Sequence, residues 1–205
     1  MREIDRALSD ISMIRHQLTR GSEFRGFGPP TLAATGALAF AVAAAQSRWL
    51  PSPERHVLVY IGVWVATAAL AVAVIGIETA VRTRRAHGSL GATMLLSAVE
   101  QFLPAGVAGG LVTIALLQSS PQNLWMLPGL WQIIFALGAF ATARILPRPM
   151  KIVGFWYLAC GFASLQLGLE GRAFSPWTMA VPFGIGQLLV AGILQLRSGV
   201  RHGDE

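Results

Sequence analysis

The stretch "FSPWTMAVPFGIGQLLVAG", Phe174 to Gly192, decides how this chain is read. It is almost wholly apolar, yet it holds two prolines, three glycines and a glutamine. An uncharged apolar run of this length reads as a membrane-spanning helix, because crossing a hydrocarbon core of about 30 Å takes roughly 20 helical residues. Its Ser175-Pro176 marks a helix boundary, since the residue before a proline is pushed out of the helical region.

The same pattern lies 55 residues upstream. Placing residues 102–136 on 157–191 gives identities at Leu103/Leu158, Gly106/Gly161, Ala108/Ala163, Ser120/Ser175, Pro121/Pro176, Gly129/Gly184, Gln132/Gln187 and Ala136/Ala191. A third copy joins with small gaps: Gly36 corresponds to Gly106, Ser52-Pro53 to Ser120-Pro121, Gly62 to Gly129 and Trp64 to Trp131. Self-similarity at a fixed spacing is the mark of a repeated structural unit. Here the unit is a helical hairpin turned by Ser-Pro, with a glycine in each arm where helices can cross closely.

Composition agrees with a membrane protein. Of 205 residues, 54% are hydrophobic and only 13% charged, against about 25% charged in soluble domains. The expected fold is all-α, with six transmembrane helices at about 30–47, 57–79, 93–118, 124–143, 152–169 and 177–196. The first is short and dominated by alanine, which predicts packing inside the bundle. The domain division is 1–28, a cytoplasmic amphipathic helix with a Gly/Pro hinge; 29–197, the six-helix domain; and 198–205, a tail.

Orientation follows from Lys and Arg, which concentrate on the cytoplasmic side. Thirteen of the 16 lie in the N-terminal segment, the second and fourth connections and the tail, and the three Ser-Pro connections hold only Arg48, Arg55 and Arg172. Both termini are therefore expected in the cytoplasm. Trp49, Trp125 and Trp177 flank the Ser-Pro connections, as in an interfacial aromatic belt. The first 28 residues carry charge throughout and no apolar core, so no cleavable signal peptide is expected.

Three tandem hairpins with this glycine and proline spacing resemble the HdeD family of bacterial acid-resistance membrane proteins. The matching residues are Gly106, Pro121, Gly129 and Gly138 in the second hairpin, and Gly161, Pro176, Gly184 and Gly192 in the third. The likeness covers about residues 30–197 and leaves out the N-terminal segment. It implies the hairpin fold, a bacterial inner-membrane location and a role in stress.

Ionisable groups at the centre of a membrane cost about 2.5–3.5 kcal/mol each by insertion scales, so those present usually serve function. His16, His56, His87 and His202 all fall outside the expected spans. Glu78 stands four residues before Arg82, the spacing of a helical ion pair. Glu100, with Gln101 beside it, falls near the cytoplasmic boundary of the third span once the repeats are aligned. Gln132 and Gln187, equivalent in the repeat, lie roughly 10–12 Å in from the outer surface at 1.5 Å per residue. Hydrogen bonding between helices is the usual fate of such amides; lining a polar path between hairpins is the other. No motif points to a catalytic residue, cofactor or metal site, and the single Cys160 excludes an intrachain disulfide.

In the N-terminal segment, Ile4, Leu8, Ile11 and Leu18 follow helical spacing, with Arg15 and Arg20 among the charges on the remaining faces. Such a helix suits an anionic membrane surface, where each basic residue gains about 1 kcal/mol, or a partner protein. The expected function is that of a non-enzymatic inner-membrane component with a structural, stress-response or partner-binding role. A small transporter or channel is the alternative. The expected partners are the bilayer and either a cytoplasmic protein or a second copy of the chain. Nucleic acid is not expected despite the net charge of +6, because the arginines punctuate apolar segments and line no single face.

Overall fold

The computed structural model describes residues 28–85, 89–143 and 149–199, without the side chains of 82–96, 98 and 196–199. The amphipathic segment with Ile4, Leu8, Ile11, Arg15, Leu18 and Arg20 lies outside the described residues, as does the tail from residue 200.

Among the described residues all regular structure is helical: α1 (Pro29–Trp49), α2 (Val57–Arg85), α3 (Ser89–Ser119), α4 (Leu127–Thr142), α5 (Met150–Leu169) and α6 (Trp177–Gly199). Five stretches are long and apolar enough to cross a membrane, namely Val57–Val81, Val99–Ser119, Pro121–Thr142, Met150–Leu169 and Trp177–Gln195. They are the helices of a multi-pass membrane protein. The helix α1 forms where a first span is expected but falls short of the other five in hydropathy, because Pro29, Pro30, Gln46 and Arg48 dilute it.

Each Ser-Pro opens a return arm. Pro53 and Pro121 begin short 3₁₀ turns, Pro53–Arg55 and Pro121–Met126, that lead into α2 and α4. Proline suits a first helical position, where its missing N–H would have no intrahelical partner anyway. At the third connection α5 stops in a Schellman motif. Gly171 takes φ +78°, its N–H donates to the Gly168 carbonyl (3.0 Å), and the Arg172 N–H donates to that of Leu167 (2.9 Å). A side chain at Gly171 would be strained in that left-handed conformation.

The closest helix pairs are not the arms of one hairpin. The helix α1 packs along α6, and α4 along α5. The arms α3 and α4 are the best packed within a hairpin; α1 meets α2 only in part, and α2 and α3, successive in the chain, hardly touch. Burial on α1 follows a single stripe, Leu32, Thr35, Gly36, Ala39, Ala43 and Gln46. One face of this helix therefore enters the bundle while the opposite face stays exposed, a narrower burial than its alanine content predicts.

Glycines set both close crossings. A Cβ at Gly36 would lie 2.9 Å from the Gly184 carbonyl oxygen, and a Cβ at Gly129 would lie 2.8 Å from that of Gly161. Neither approach tolerates a side chain. At Gly62 and Gly106 a Cβ would meet nothing within 4 Å. That overturns the expectation that Gly106 and Gly161 occupy matching helix crossings, since α3 has not been brought against α2.

Two apolar cores result. One, at the Ser-Pro end, joins Ala43, Tyr60, Ile61, Trp64 and Leu127 to Ala173 and Phe174 of the last connection. Phe174 meets Tyr60 edge-on with ring centroids 5.4 Å apart. The other surrounds Tyr157, whose ring lies 4.5 Å from Phe135 and 5.2 Å from Phe183.

Candidate functional site

Polar groups at membrane depth must find partners inside the protein, because lipid offers none. The first such demand comes from the stretch Phe174 to Gly192. Pro182 stands inside α6 and has no N–H, so the carbonyl four residues earlier, on Thr178, loses its helical donor. Gln132 of α4 supplies one: its Nε2 donates to the Thr178 carbonyl at 2.8 Å. On the other side of the amide, Ser164 Oγ of α5 donates to Gln132 Oε1 at 3.2 Å. One fully buried side chain thus ties α4, α5 and α6.

The tie continues outward. The Thr178 hydroxyl donates to the Ser175 carbonyl at 2.7 Å, and the Tyr60 hydroxyl of α2 lies 3.2 Å from Thr178 Oγ1. A separate bond runs from Trp156 Nε1 of α5 to the Pro182 carbonyl at 2.9 Å. Tyr60, Ser164 and Thr178 carry no signal of this role on their own. Pro182 does, since a proline within a span always leaves a carbonyl four residues back to be satisfied. Gln46 and the Trp64 indole N–H are buried as well, without a hydrogen-bond partner among the described residues.

The second feature is a cavity of about 340 Å³ in the gap between α2 and α3. Val65, Thr67 and Ala71 line one side, Ala105, Gly106 and Gly109 the other, and Trp131, Phe135, Phe183 and Gln187 the floor. Its hydroxyls are already engaged. Thr67 Oγ1 donates to the Val63 carbonyl at 2.8 Å, and Thr113 Oγ1 donates to that of Gly109 at 2.7 Å while accepting from Trp131 Nε1 at 2.9 Å.

The candidate residues therefore part company. Gln132 and Gln187 were expected to share one role. Gln132 is sealed in the three-helix tie and does not line the cavity, whereas Gln187 is half-buried and does. Their difference lies in α6: Pro182 gives Gln132 an acceptor, and no proline stands at the corresponding place for Gln187. Glu100 is exposed on α3 and Gln101 half-buried beside it; neither reaches the cavity or the tie. Glu78 is half-buried on α2, and its expected partner Arg82 falls outside the described side chains. Among the described residues no three His, Cys, Asp or Glu side chains come together in a way that would hold a metal ion.

Comparison of the chain with family models, with curated proteins and with solved structures gives no match.

Proposed function

We propose that this chain is a non-enzymatic bacterial inner-membrane protein with a structural, stress-response or partner-binding role. In this reading it is built from three tandem hairpins of the HdeD type, α1 serves as a sixth span, and both termini face the cytoplasm. The amphipathic segment then lies where it can meet a protein or the anionic leaflet. The observation that carries the reading is how the buried polar groups are used. The Gln132 amide, the Ser164 and Tyr60 hydroxyls and the Trp156 indole hold helices to one another. The cavity between α2 and α3 is lined largely by apolar side chains and glycine. These ties suit rigid presentation of the surfaces of α4, α5 and α6.

A transport role draws support from Gln187, which brings an amide to the cavity wall. One complementation experiment separates the two. Deleting residues 2–20 removes the amphipathic segment, and Gln187→Leu removes the cavity amide without touching the Gln132 tie. At matched membrane levels, the deletion should abolish the phenotype and Gln187→Leu should leave it intact. The opposite pattern, with only Gln187→Leu inactive, would overturn the proposal in favour of transport.

A further inference from the structure

Each of the two close crossings is locked by four side-chain positions, and the pattern is the same in both. In the first, Gly184 of α6 receives the ring of Phe40, four residues after Gly36, and Gly36 faces Gln187 and Leu188, the latter four residues after Gly184. In the second, Gly129 of α4 receives Leu165, four residues after Gly161, and Gly161 receives Ile133, four residues after Gly129. A glycine on each helix thus accepts a large side chain from one turn further along its partner.

The repeat reading, on which this inference rests, assigns a third crossing of the same kind. It joins Gly106 of α3 to Gly62 of α2, and the positions that would supply the large side chains are Ala66 and Gly110. A Cβ at either glycine would meet nothing within 4 Å, and the cavity of about 340 Å³ lies in the gap that the crossing would close. The helix α3 leans on α4 more heavily than α1 leans on α2 or α5 on α6. Its displacement is therefore away from α2 and toward its own hairpin arm.

We propose that α3 rocks between α4 and α2, closing the cavity by making the Gly62–Gly106 crossing. The chemistry of the seam suits a reversible contact. Four small residues, Gly62, Ala66, Gly106 and Gly110, allow the backbones to meet at or below the usual separation of about 8–10 Å between packed helices. None of them provides a side chain that fills the partner's notch, so the dispersion that locks the other two crossings is missing. In the closed state the apolar wall at Val65 and Ala68 is covered by protein; in the open state it faces the cavity.

Spin labels test this in the full-length protein in lipid nanodiscs. Labels at Leu58→Cys and Leu111→Cys occupy exposed positions on α2 and α3 near the level of the seam, in a Cys160→Ser background. Pulsed electron resonance should resolve two distance populations, and Gly106→Leu should abolish the shorter one, because its side chain would stand between the backbones. Thermal stability should be unchanged by Gly106→Leu, since the open state has space for it. A single distance that Gly106→Leu does not alter overturns the proposal. So does a short distance that vanishes on dilution with unlabelled protein, which would assign the seam to contacts between copies. Unfolding of the Gly106→Leu variant would also count against it, by showing that the open position is not free.

Discussion

Replacing Gln132 by leucine keeps the side chain close to its size and removes only its polar end. Two interhelical hydrogen bonds are lost, from Gln132 Nε2 to the Thr178 carbonyl and from Ser164 Oγ to Gln132 Oε1. At about 0.6 kcal/mol each, the average for such bonds in membranes, they contribute about 1 kcal/mol. The larger loss is the Thr178 carbonyl. Pro182 gives it no helical donor, so without Gln132 it is buried and unpaired, at about 1–3 kcal/mol. Gln132→Leu should therefore cost about 2–4 kcal/mol in reversible unfolding from mixed detergent micelles, and Gln187→Leu less than about 0.5 kcal/mol. The cause is isolated by Pro182→Ala, which returns an N–H to the helix and gives the Thr178 carbonyl its own partner. In that background Gln132→Leu should cost at least about 1 kcal/mol less. If the two changes add to within about 0.3–0.5 kcal/mol, Gln132 is not compensating for the proline and the argument fails.

Three further outcomes are expected. Gly129→Ala should destabilise by about 1–3 kcal/mol through overpacking, because its Cβ would stand 2.8 Å from the Gly161 carbonyl oxygen; a variant that unfolds like the parent would show that this crossing is looser than described. Reporter fusions after Arg85 and Arg148 should read as cytoplasmic and fusions near Pro53, Pro121 and Pro176 as periplasmic, and the reverse assignment at any of them would break the proposed orientation. Gly171→Ala should destabilise by about 1 kcal/mol through strain at a left-handed position, seen as a modestly lower melting temperature, and a neutral effect would mean that the turn relaxes freely.

Helix positions were legible in the sequence because hydropathy acts locally: each residue prefers lipid or water largely by itself. The boundaries at Trp49, Ser119 and Leu169 follow from nearby Ser-Pro pairs and a glycine turn, all within a few residues. Partner choice was not legible in this way. That α1 lies along α6 depends on Gly36, Phe40, Gly184 and Leu188 fitting together across most of the chain. The repeat alone treats Gly106 as equal to Gly161; what separates them is Ala66 and Gly110 in place of Ile133 and Leu165, a difference that matters only once the crossing pattern is known. Gln132 shows the same limit. Its depth made a partner necessary, but the partner is a carbonyl exposed by a proline 50 residues later.

The pairing of α1 with α6 also imposes an order on biosynthesis. Among the described helices α1, the least hydropathic, precedes by more than 120 residues the helix α6 that covers its buried stripe. At about 5–20 residues per second, translation from Trp49 to Gly199 takes on the order of ten seconds or more. Through that interval α1 has no permanent docking surface and must be held at the insertion machinery, at the membrane surface or against an early arm of the bundle. The α1–α6 contact thus forms only after the residues between Trp49 and Trp177 have been made. A ribosome that stops before residue 177 leaves α1 without its main partner and its stripe of Leu32, Thr35, Gly36, Ala39, Ala43 and Gln46 largely uncovered.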